Sequence, residues 1–122
     1  MDKILIVDDE IEVCTVLEEF LALREFEVYS AQDGRSAIEK VKEVKPHIVL
    51  LDIIMPGMGG IEVLQEIRKI DPDIGVIMIT AVADQNLGNN ALKLGAHDFI
   101  TKPVDLNYLE TVVMVKIINI RG

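Results

Sequence analysis

The sequence ILIVDD, from Ile4 to Asp9, runs from four apolar residues directly into two carboxylates. The sequence IVLLD, from Ile48 to Asp52, has the same form and ends in one carboxylate. Short aliphatic runs rich in β-branched residues are typical of strands that are buried on both faces, as in a parallel sheet. The two stretches therefore predict a buried sheet whose strand ends carry acidic groups.

Apolar runs of this kind alternate with helical patterns along the whole chain. We predict strands at residues 3–8, 26–30, 47–52, 75–80 and 97–101, and helices at residues 10–24, 34–44, 60–69, 84–94 and 105–119. Such alternation predicts the α/β class, with a parallel sheet that is covered by helices on both faces. We expect a five-stranded, flavodoxin-like sheet with strand order 2-1-3-4-5, in one domain over residues 1–122.

The spacing of apolar residues predicts the buried face of four helices. Positions i, i+3, i+4 and i+7 lie on one side of a helix, so residues with this spacing should face the sheet. Asp33 precedes the second helix and is its predicted N-cap. The inward residues are Val13, Val16, Leu17 and Phe20 in the first helix, Ala37, Val41 and Val44 in the second, Val63, Ile67 and Ile70 in the third, and Leu106, Leu109, Val113, Ile117 and Ile120 in the last.

The composition narrows the class of protein. The chain has 122 residues, 50% of them hydrophobic, which is enough for one packed domain. Its formal net charge of −9 argues against direct nucleic-acid binding, which needs a basic surface. No apolar run is long enough to span a membrane. The single cysteine, Cys14, is expected to be an inert core thiol and favours a cytoplasmic protein.

Polar residues mark the ends of four predicted strands. Asp8, Asp9 and Asp52 end the first and third strands, Thr80 ends the fourth, and Lys102 follows the fifth. In an open parallel sheet, ligands bind beyond the carboxyl ends of the strands, near the point where the strand order reverses. We therefore expect these residues to form one site.

The residue types at these strand ends predict phosphoryl transfer. Converging carboxylates repel one another unless a cation lies between them, and Mg²⁺ prefers such oxygen ligands together with water and phosphate. Asp8 and Asp9 are candidate ligands, and Asp52 can bind the metal through one oxygen while the other attacks phosphorus. Lys102 and Thr80 would contact the phosphoryl oxygens. The expected chemistry is Mg²⁺-assisted formation of an aspartyl phosphate on Asp52.

The motifs around these residues are specific when they are taken together. They are VDDE at residues 7–10, LDIIMP at residues 51–56 with Gly60, Thr80-Ala81, Gly95-Ala96 and Lys102-Pro103. With them, nearly the whole chain resembles the receiver domain of bacterial two-component response regulators and is similar to the single-domain chemotaxis regulators. The resemblance implies a phosphorylation-dependent signalling switch that is phosphorylated by a histidine kinase or a histidine phosphotransfer protein.

The resemblance also implies a role for each site residue. Asp52 would be the phosphoacceptor, and Lys102 would contact the phosphoryl group. Asp9 would bind Mg²⁺ directly, Asp8 would bind it mostly through water, and the backbone carbonyl of Ile54 would be another metal ligand. The domain would catalyse only its own phosphorylation and slow dephosphorylation, and it would not otherwise be an enzyme.

Further residues would transmit the signal or meet the donor. Thr80 would move toward the phosphoryl group, Phe99 would turn inward as the switch aromatic of the family, and the Lys102–Pro103 bond would be cis. In the family, the donor docks on the first helix and on the loop after the fifth strand, which here means near Ile11, Cys14 and Val104.

The sequence departs from the family pattern at the site. Gly59 stands where the family often has aspartate, which should loosen the loop through backbone entropy. Ile54 and Val82 occupy the two positions that tune the phosphoryl lifetime in the family, and both are apolar. Neither side chain can orient a hydrolytic water by hydrogen bonding, so we expect slow autodephosphorylation.

The last predicted helix carries more apolar residues than one buried face needs. The additional ones are Tyr108, Val112, Met114, Val115 and Ile118. A helix that is apolar on most sides is normally covered on most sides, either by neighbouring elements or by a partner. We favour an interface, either with a second copy through the fourth helix, fifth strand and fifth helix, or with an effector domain. In the latter case the chain would be the N-terminal regulatory domain of a larger transcriptional regulator.

Two other classes of protein are open alternatives. A haloacid-dehalogenase-like phosphatase also uses an aspartyl phosphate and Mg²⁺, but its second aspartate should follow the first-strand nucleophile by two residues, where this chain has Glu10 after Asp8. A phosphate-independent interaction module would have no use for all five site residues, which are Asp8, Asp9, Asp52, Thr80 and Lys102. Turnover of an aryl phosphate would identify the first class, and failure to take up a phosphoryl group would identify the second.

Overall fold

The computed structural model describes residues 2–80 and 85–121, and its strands alternate with helices as predicted. The strands are β1 (Lys3–Val7), β2 (Glu27–Ala31), β3 (Ile48–Asp52), β4 (Gly75–Thr80) and β5 (Asp98–Thr101). The helices are α1 (Ile11–Ala22), α2 (Gly34–Val44), α3 (Gly60–Ile70), α4 (Gln85–Lys93) and α5 (Leu106–Arg121). The predicted ranges agree with these bounds to within a few residues, since helix and strand ends are where local signals are weakest.

The five strands form one parallel sheet in the order β2-β1-β3-β4-β5, which confirms the predicted topology. β1 pairs with β2 on one side and with β3 on the other, so the strand order reverses at β1 and β3. Every residue of β3 and β4 is buried, because both are inner strands covered on both faces. The reversal point therefore lies in the middle of the sheet, between the ends of β1 and β3.

The core has two layers, one on each face of the sheet. Leu5 and Val7 pack with residues of α2, α3 and α4, whereas Ile4 and Ile6 pack with residues of α1 and α5. Successive side chains of a strand point to opposite faces, which is why neighbouring residues of β1 belong to different layers. Among the residues described, no helix is both long and apolar enough to cross a membrane.

The turn before α3 depends on close backbone packing. Gly60 begins α3, and its N–H donates to the Ile53 carbonyl over 2.8 Å. A Cβ atom at this position would lie 2.1 Å from the carbonyl oxygen of Asp52, far inside van der Waals contact. Only glycine fits here, and the turn thereby brings the start of α3 against the strand end that carries Asp52.

The predicted buried faces are correct for α2 and α5 and partly wrong for α1 and α3. Cys14, Leu17 and Leu21 are the buried residues of α1, while Val16 is 52% exposed. The apolar residues of α1 spread around the helix, so their spacing did not determine which side meets the sheet. Ile70, at the last turn of α3, is 37% exposed because the helix ends there. The predicted N-cap of α2 is confirmed, since the Asp33 side chain accepts from the Ser36 N–H over 2.8 Å.

Candidate functional site

The ends of β1 and β3 bring three aspartates together. Val7 is in register with Leu51, so Asp8, which follows β1, lies beside Asp52, the last residue of β3. The Asp8 N–H donates to the Ala31 carbonyl over 3.1 Å, which continues the β1–β2 pairing past the strand. Asp8, Asp9 and Asp52 each contribute a carboxylate oxygen to a group whose members lie within 4.8 Å of one another.

The three carboxylates are a donor set that suits a hard divalent cation. Asp8 and Asp52 are 2% and 4% exposed, whereas Asp9 faces solvent. The buried pair supplies concentrated negative charge, and the open side at Asp9 gives water access to the group. Mg²⁺ takes carboxylate and water oxygens in this way, so the chemistry of the residues fits that ion.

The ammonium group of Lys102 lies beside the carboxylates and supplies positive charge to the site. Its backbone N–H donates to the Thr80 carbonyl over 2.7 Å, which fixes the loop after β5 beside the end of β4. Its Nζ lies 2.9 Å from Asp8 Oδ2 and 3.5 Å from Asp52 Oδ2. The same Nζ lies 3.3 Å from Glu10 Oε1. Lys102 therefore contacts two of the three aspartates, Asp8 and Asp52, and Glu10 is an additional contact that the sequence pattern did not assign to the site.

Burial and mutual repulsion leave Asp52 easier to protonate than an ordinary aspartate. Desolvation, followed by the negative charge of Asp8, raises the pKa of Asp52 to about 6, although Lys102 opposes the shift. Burial alone would lower the pKa of Lys102, but its hydrogen bond to Asp8 and the charge of Asp52 outweigh burial and raise it. The ammonium is therefore present at neutral pH, and Asp52 is mainly a carboxylate there.

Thr80 and Phe99 lie on the two strands beyond β3. Thr80 is fully buried at the end of β4, one residue after Ile79, which is in register with Asp52. Phe99 is half-buried in β5 and packs against the layer of the core that contains α2, α3 and α4. Ala81 and Val82, which the sequence patterns also single out, lie outside the described residues. The parallel pairing of β3 with β4 thus brings Thr80 to the same edge of the sheet as Asp52.

The loop after β3 contacts the phosphoacceptor candidate through its backbone. The Ile54 N–H donates to Asp52 Oδ1 over 3.4 Å, and the Ile54 side chain is exposed. The Lys102–Pro103 bond is cis, as the resemblance implied. These features surround Asp52 with loop backbone on one side and Lys102 on the other.

An apolar groove lies beside Lys102, between α1 and the loop after β5. Val104 lines it, and Ile11 is exposed at the start of α1. The other apolar lining residues are Val13, Val16, Leu17, Pro103 and Leu106. Cys14, which was expected near the docking surface, is 1% exposed and packs inside the core, so a docked partner would not touch it. Burial is also the main cause that raises the pKa of the Cys14 thiol.

Comparison with known sequences gives the family. Residues 4–114 match the model of the response regulator receiver domain. The chemotaxis protein CheY of Thermotoga maritima is 44% identical over 102 residues, which cover 83% of this chain and 85% of the relative. The regulatory protein AtoC of Escherichia coli is 41% identical over 113 residues, which cover 93% of this chain but only 24% of the relative. The chain thus matches about a quarter of AtoC and most of CheY.

Solved structures agree with this assignment. A CheY-like receiver domain from Methanospirillum hungatei superposes with a TM-score of 0.95 at 28% identity, over 99% of this chain and 97% of the other. A chain of the CheX–CheY–BeF3–Mg²⁺ complex of Borrelia burgdorferi superposes with a TM-score of 0.89 at 36% identity, over 93% of this chain and 87% of the other. With its parallel sheet, strand-end aspartates and Lys102, the chain belongs to the response regulator receiver domain family of two-component systems.

Proposed function

We propose that the domain accepts a phosphoryl group on Asp52 and acts as a phosphorylation-dependent switch. The observation that carries the proposal is the position of Asp52 at the reversal point of the sheet, with Lys102 Nζ 3.5 Å from its Oδ2 and two further carboxylates beside it. A buried carboxylate among other carboxylates is unfavourable for folding, and groups of this kind cluster at functional sites. Phosphoryl transfer accounts for both the acids and the ammonium.

The chemical step is a displacement at phosphorus. A carboxylate oxygen of Asp52 forms the new P–O bond, and the bond from phosphorus to the donor nitrogen or oxygen breaks, with its electron pair leaving on the donor. Lys102 would contact one phosphoryl oxygen, and the Thr80 hydroxyl would donate to another. The pKa of about 6 keeps Asp52 mainly ionised at neutral pH, as a nucleophile must be.

Mg²⁺ is the cofactor that we assign to the acidic group. Asp9 would bind it directly, Asp8 mostly through water, and Asp52 and the backbone carbonyl of Ile54 would complete the protein ligands. When bound, the ion supplies positive charge against the oxygens of the transferring group. The related Borrelia complex contains Mg²⁺ and BeF3, which supports the same ion for this chain.

The signal would pass from Asp52 to the β4–β5 side of the domain. Thr80 would move toward the phosphoryl group, and the half-buried Phe99 would turn inward, which changes the surface near α4. The donor would be a histidine kinase or a histidine phosphotransfer protein. It would dock on the groove beside Lys102, which Val104 lines, and on the exposed Ile11 at the start of α1.

The phosphorylated state would be long-lived. The exposed Ile54 side chain offers no hydrogen bond to an attacking water, and Val82, apolar as well, would offer none. The domain would hydrolyse only its own phosphoryl group and would not turn over other substrates. A phosphoryl half-life of seconds in Mg²⁺ would contradict the slow hydrolysis proposed here.

The domain would report its state through protein contacts rather than through nucleic acid. Its net charge of −9 disfavours DNA, and α5 exposes Tyr108, Val115 and Ile118. These residues would meet a second copy, through α4, β5 and α5, or the effector region of a longer transcriptional regulator, as the partial match to AtoC suggests. We place this signalling in the cytoplasm, where the buried thiol of Cys14 stays reduced.

Chemical trapping locates the phosphoryl group. The protein is incubated with acetyl phosphate and Mg²⁺, reduced with borohydride, and digested for peptide mass spectrometry. An acyl phosphate on Asp52 is reduced to homoserine at that position, and this is the expected result. Homoserine at Asp8 or Asp9 instead would contradict the assignment of Asp52.

A further inference from the structure

Glu10 occupies the N-cap of α1, but its side chain does not cap the helix. Its backbone is extended, with φ −90° and ψ 110°, and no side-chain hydrogen bond to the first turn accompanies it. Serine, threonine, aspartate and asparagine are preferred at this position because their side chains reach the first-turn N–H groups. The Glu10 side chain instead crosses to the loop after β5, where its Oε1 accepts from Lys102 Nζ over 3.3 Å.

Lys102 has no spare donor in this arrangement. An ammonium carries three N–H donors, and Nζ faces Asp8 at 2.9 Å, Glu10 at 3.3 Å and Asp52 at 3.5 Å. At 3.5 Å the contact with Asp52 is longer than an ordinary N–H···O hydrogen bond, so Nζ must leave Asp8 or Glu10 to move into hydrogen-bond range of a phosphoryl oxygen on Asp52. The Glu10 side chain is 59% exposed and that of Asp8 is 2% exposed, so water replaces the ammonium most easily at Glu10.

We propose that Glu10 is a positioning residue that holds Lys102 in the unphosphorylated protein and releases it to the phosphoryl group. The inference rests on the proposed function, because the release needs a phosphoryl group on Asp52. The Glu10 N–H also donates to Asp8 Oδ1 over 2.9 Å, which fixes the residue to the carboxylate that Lys102 contacts most closely. Because Lys102 must leave Glu10 during the transfer, Glu10 slows the uptake of phosphate.

The test compares rates of phosphorylation by acetyl phosphate in saturating Mg²⁺. Glu10→Gln should raise the rate roughly two- to fivefold, which corresponds to the free energy that an exposed ion pair typically contributes. Glu10→Asp keeps the charge but has a shorter side chain that does not reach Lys102, so it should raise the rate as Glu10→Gln does. Glu19→Gln, an equal loss of charge at an exposed position further along α1, should leave the rate unchanged. An unchanged or slower Glu10→Gln variant, or a Glu10→Asp variant that matches the wild type, would overturn the inference.

A second measurement does not depend on phosphorylation. A double-mutant cycle of Glu10→Gln and Lys102→Met in metal-free protein should show favourable coupling in the free energy of unfolding. The matched cycle with Glu19→Gln should show none. Absence of coupling between Glu10 and Lys102 would overturn the holding role, even if the wild type is phosphorylated normally. A wild type that takes up no phosphoryl group, with the coupling present, would instead overturn the proposed function.

Discussion

The buried carboxylate of Asp52 is central to the proposed chemistry, and its burial lowers the stability of the metal-free fold. Its pKa is raised to about 6, first by burial and then by Asp8, from the ordinary value of 3.8. Between these two values the folded protein binds the proton more tightly than the unfolded chain does. The stability of the metal-free fold must therefore fall as the pH rises through this range.

Removing the charge of Asp52 should stabilise the metal-free protein at high pH. We expect Asp52→Asn to exceed the wild type by roughly 1–3 kcal/mol in unfolding free energy at pH 8, since one pKa unit is worth about 1.4 kcal/mol. The gap should close as the pH falls from about 6 toward 3.8, because wild-type Asp52 is then protonated in the folded state and loses its unfavourable charge. Urea unfolding in EDTA at several pH values measures this gap. A gap that does not change with pH would contradict the assigned burial and repulsion.

Added Mg²⁺ should stabilise the folded wild type by binding the clustered carboxylates. An ion that binds the folded state at 100 times its Kd adds about 2.7 kcal/mol. The wild type should therefore gain thermal stability with added Mg²⁺, and Asp9→Asn, which lacks one of the three clustered carboxylates, should gain clearly less. Thermal unfolding followed by circular dichroism would measure both. Equal gains in the two proteins would argue against Asp9 as a metal ligand.

At the scale of elements, the short connection from β3 to α3 holds the site in place. Gly60 packs against the backbone of Asp52 and Ile53, whereas a Cβ on Gly59 would meet its nearest atom, the Ile53 carbonyl oxygen, at 3.6 Å. The two adjacent glycines therefore differ in what they can tolerate. A side chain at position 59 would meet only ordinary van der Waals contact, whereas one at position 60 would not fit.

Substitution of these glycines by alanine should separate their roles. Gly60→Ala should destabilise the protein by about 2 kcal/mol or more and weaken Mg²⁺ binding, because the new methyl group displaces the backbone of Asp52. Gly59→Ala, the matched control, should change stability by less than about 1 kcal/mol. Urea unfolding and Mg²⁺ titration test both effects. Similar losses in the two variants would show that the close approach at Gly60 does not matter.

Some features of these elements were predictable from sequence patterns, and others were not. Alternation of strands and helices leaves few topologies, and the expected one among them, which brings Asp8 beside Asp52, is the one observed. The buried side of α1 did not follow, since its apolar residues cover too much of the helix. The contact of Glu10 with Lys102 joins positions 92 residues apart through an exposed side chain, and hydrophobic spacing carries no information about such a pair.

At the scale of the whole molecule, an acidic protein exposes a largely uncharged helix face. Four apolar residues of α5 are each more than one-third exposed: Tyr108, Met114, Val115 and Ile118. The charge of Glu110, also on α5, is paired with Arg24 after α1, at 2.7 Å between Oε2 and Nε. An exposed apolar stripe of this kind is typical of a surface that meets a partner. The proposed self-association through α4, β5 and α5 would bury it.

A charge placed on this face should prevent self-association. We expect the wild type to dimerise with beryllofluoride and Mg²⁺, and Ile118→Glu to remain monomeric because a buried unpaired carboxylate is costly. Leu23→Glu adds the same charge at an exposed apolar residue after α1 and should dimerise like the wild type. Light scattering during size-exclusion chromatography measures the mass. A monomeric wild type with and without beryllofluoride would contradict the dimer and leave an effector region as the partner.

The most direct test of the account is the intact mass of the protein after incubation with acetyl phosphate and Mg²⁺. We expect one phosphoryl adduct on the wild type, none on Asp52→Asn, and none on the wild type in EDTA. An adduct that persists on Asp52→Asn, or a wild type that gains no mass under any condition, would contradict phosphorylation of Asp52 as the function of this site.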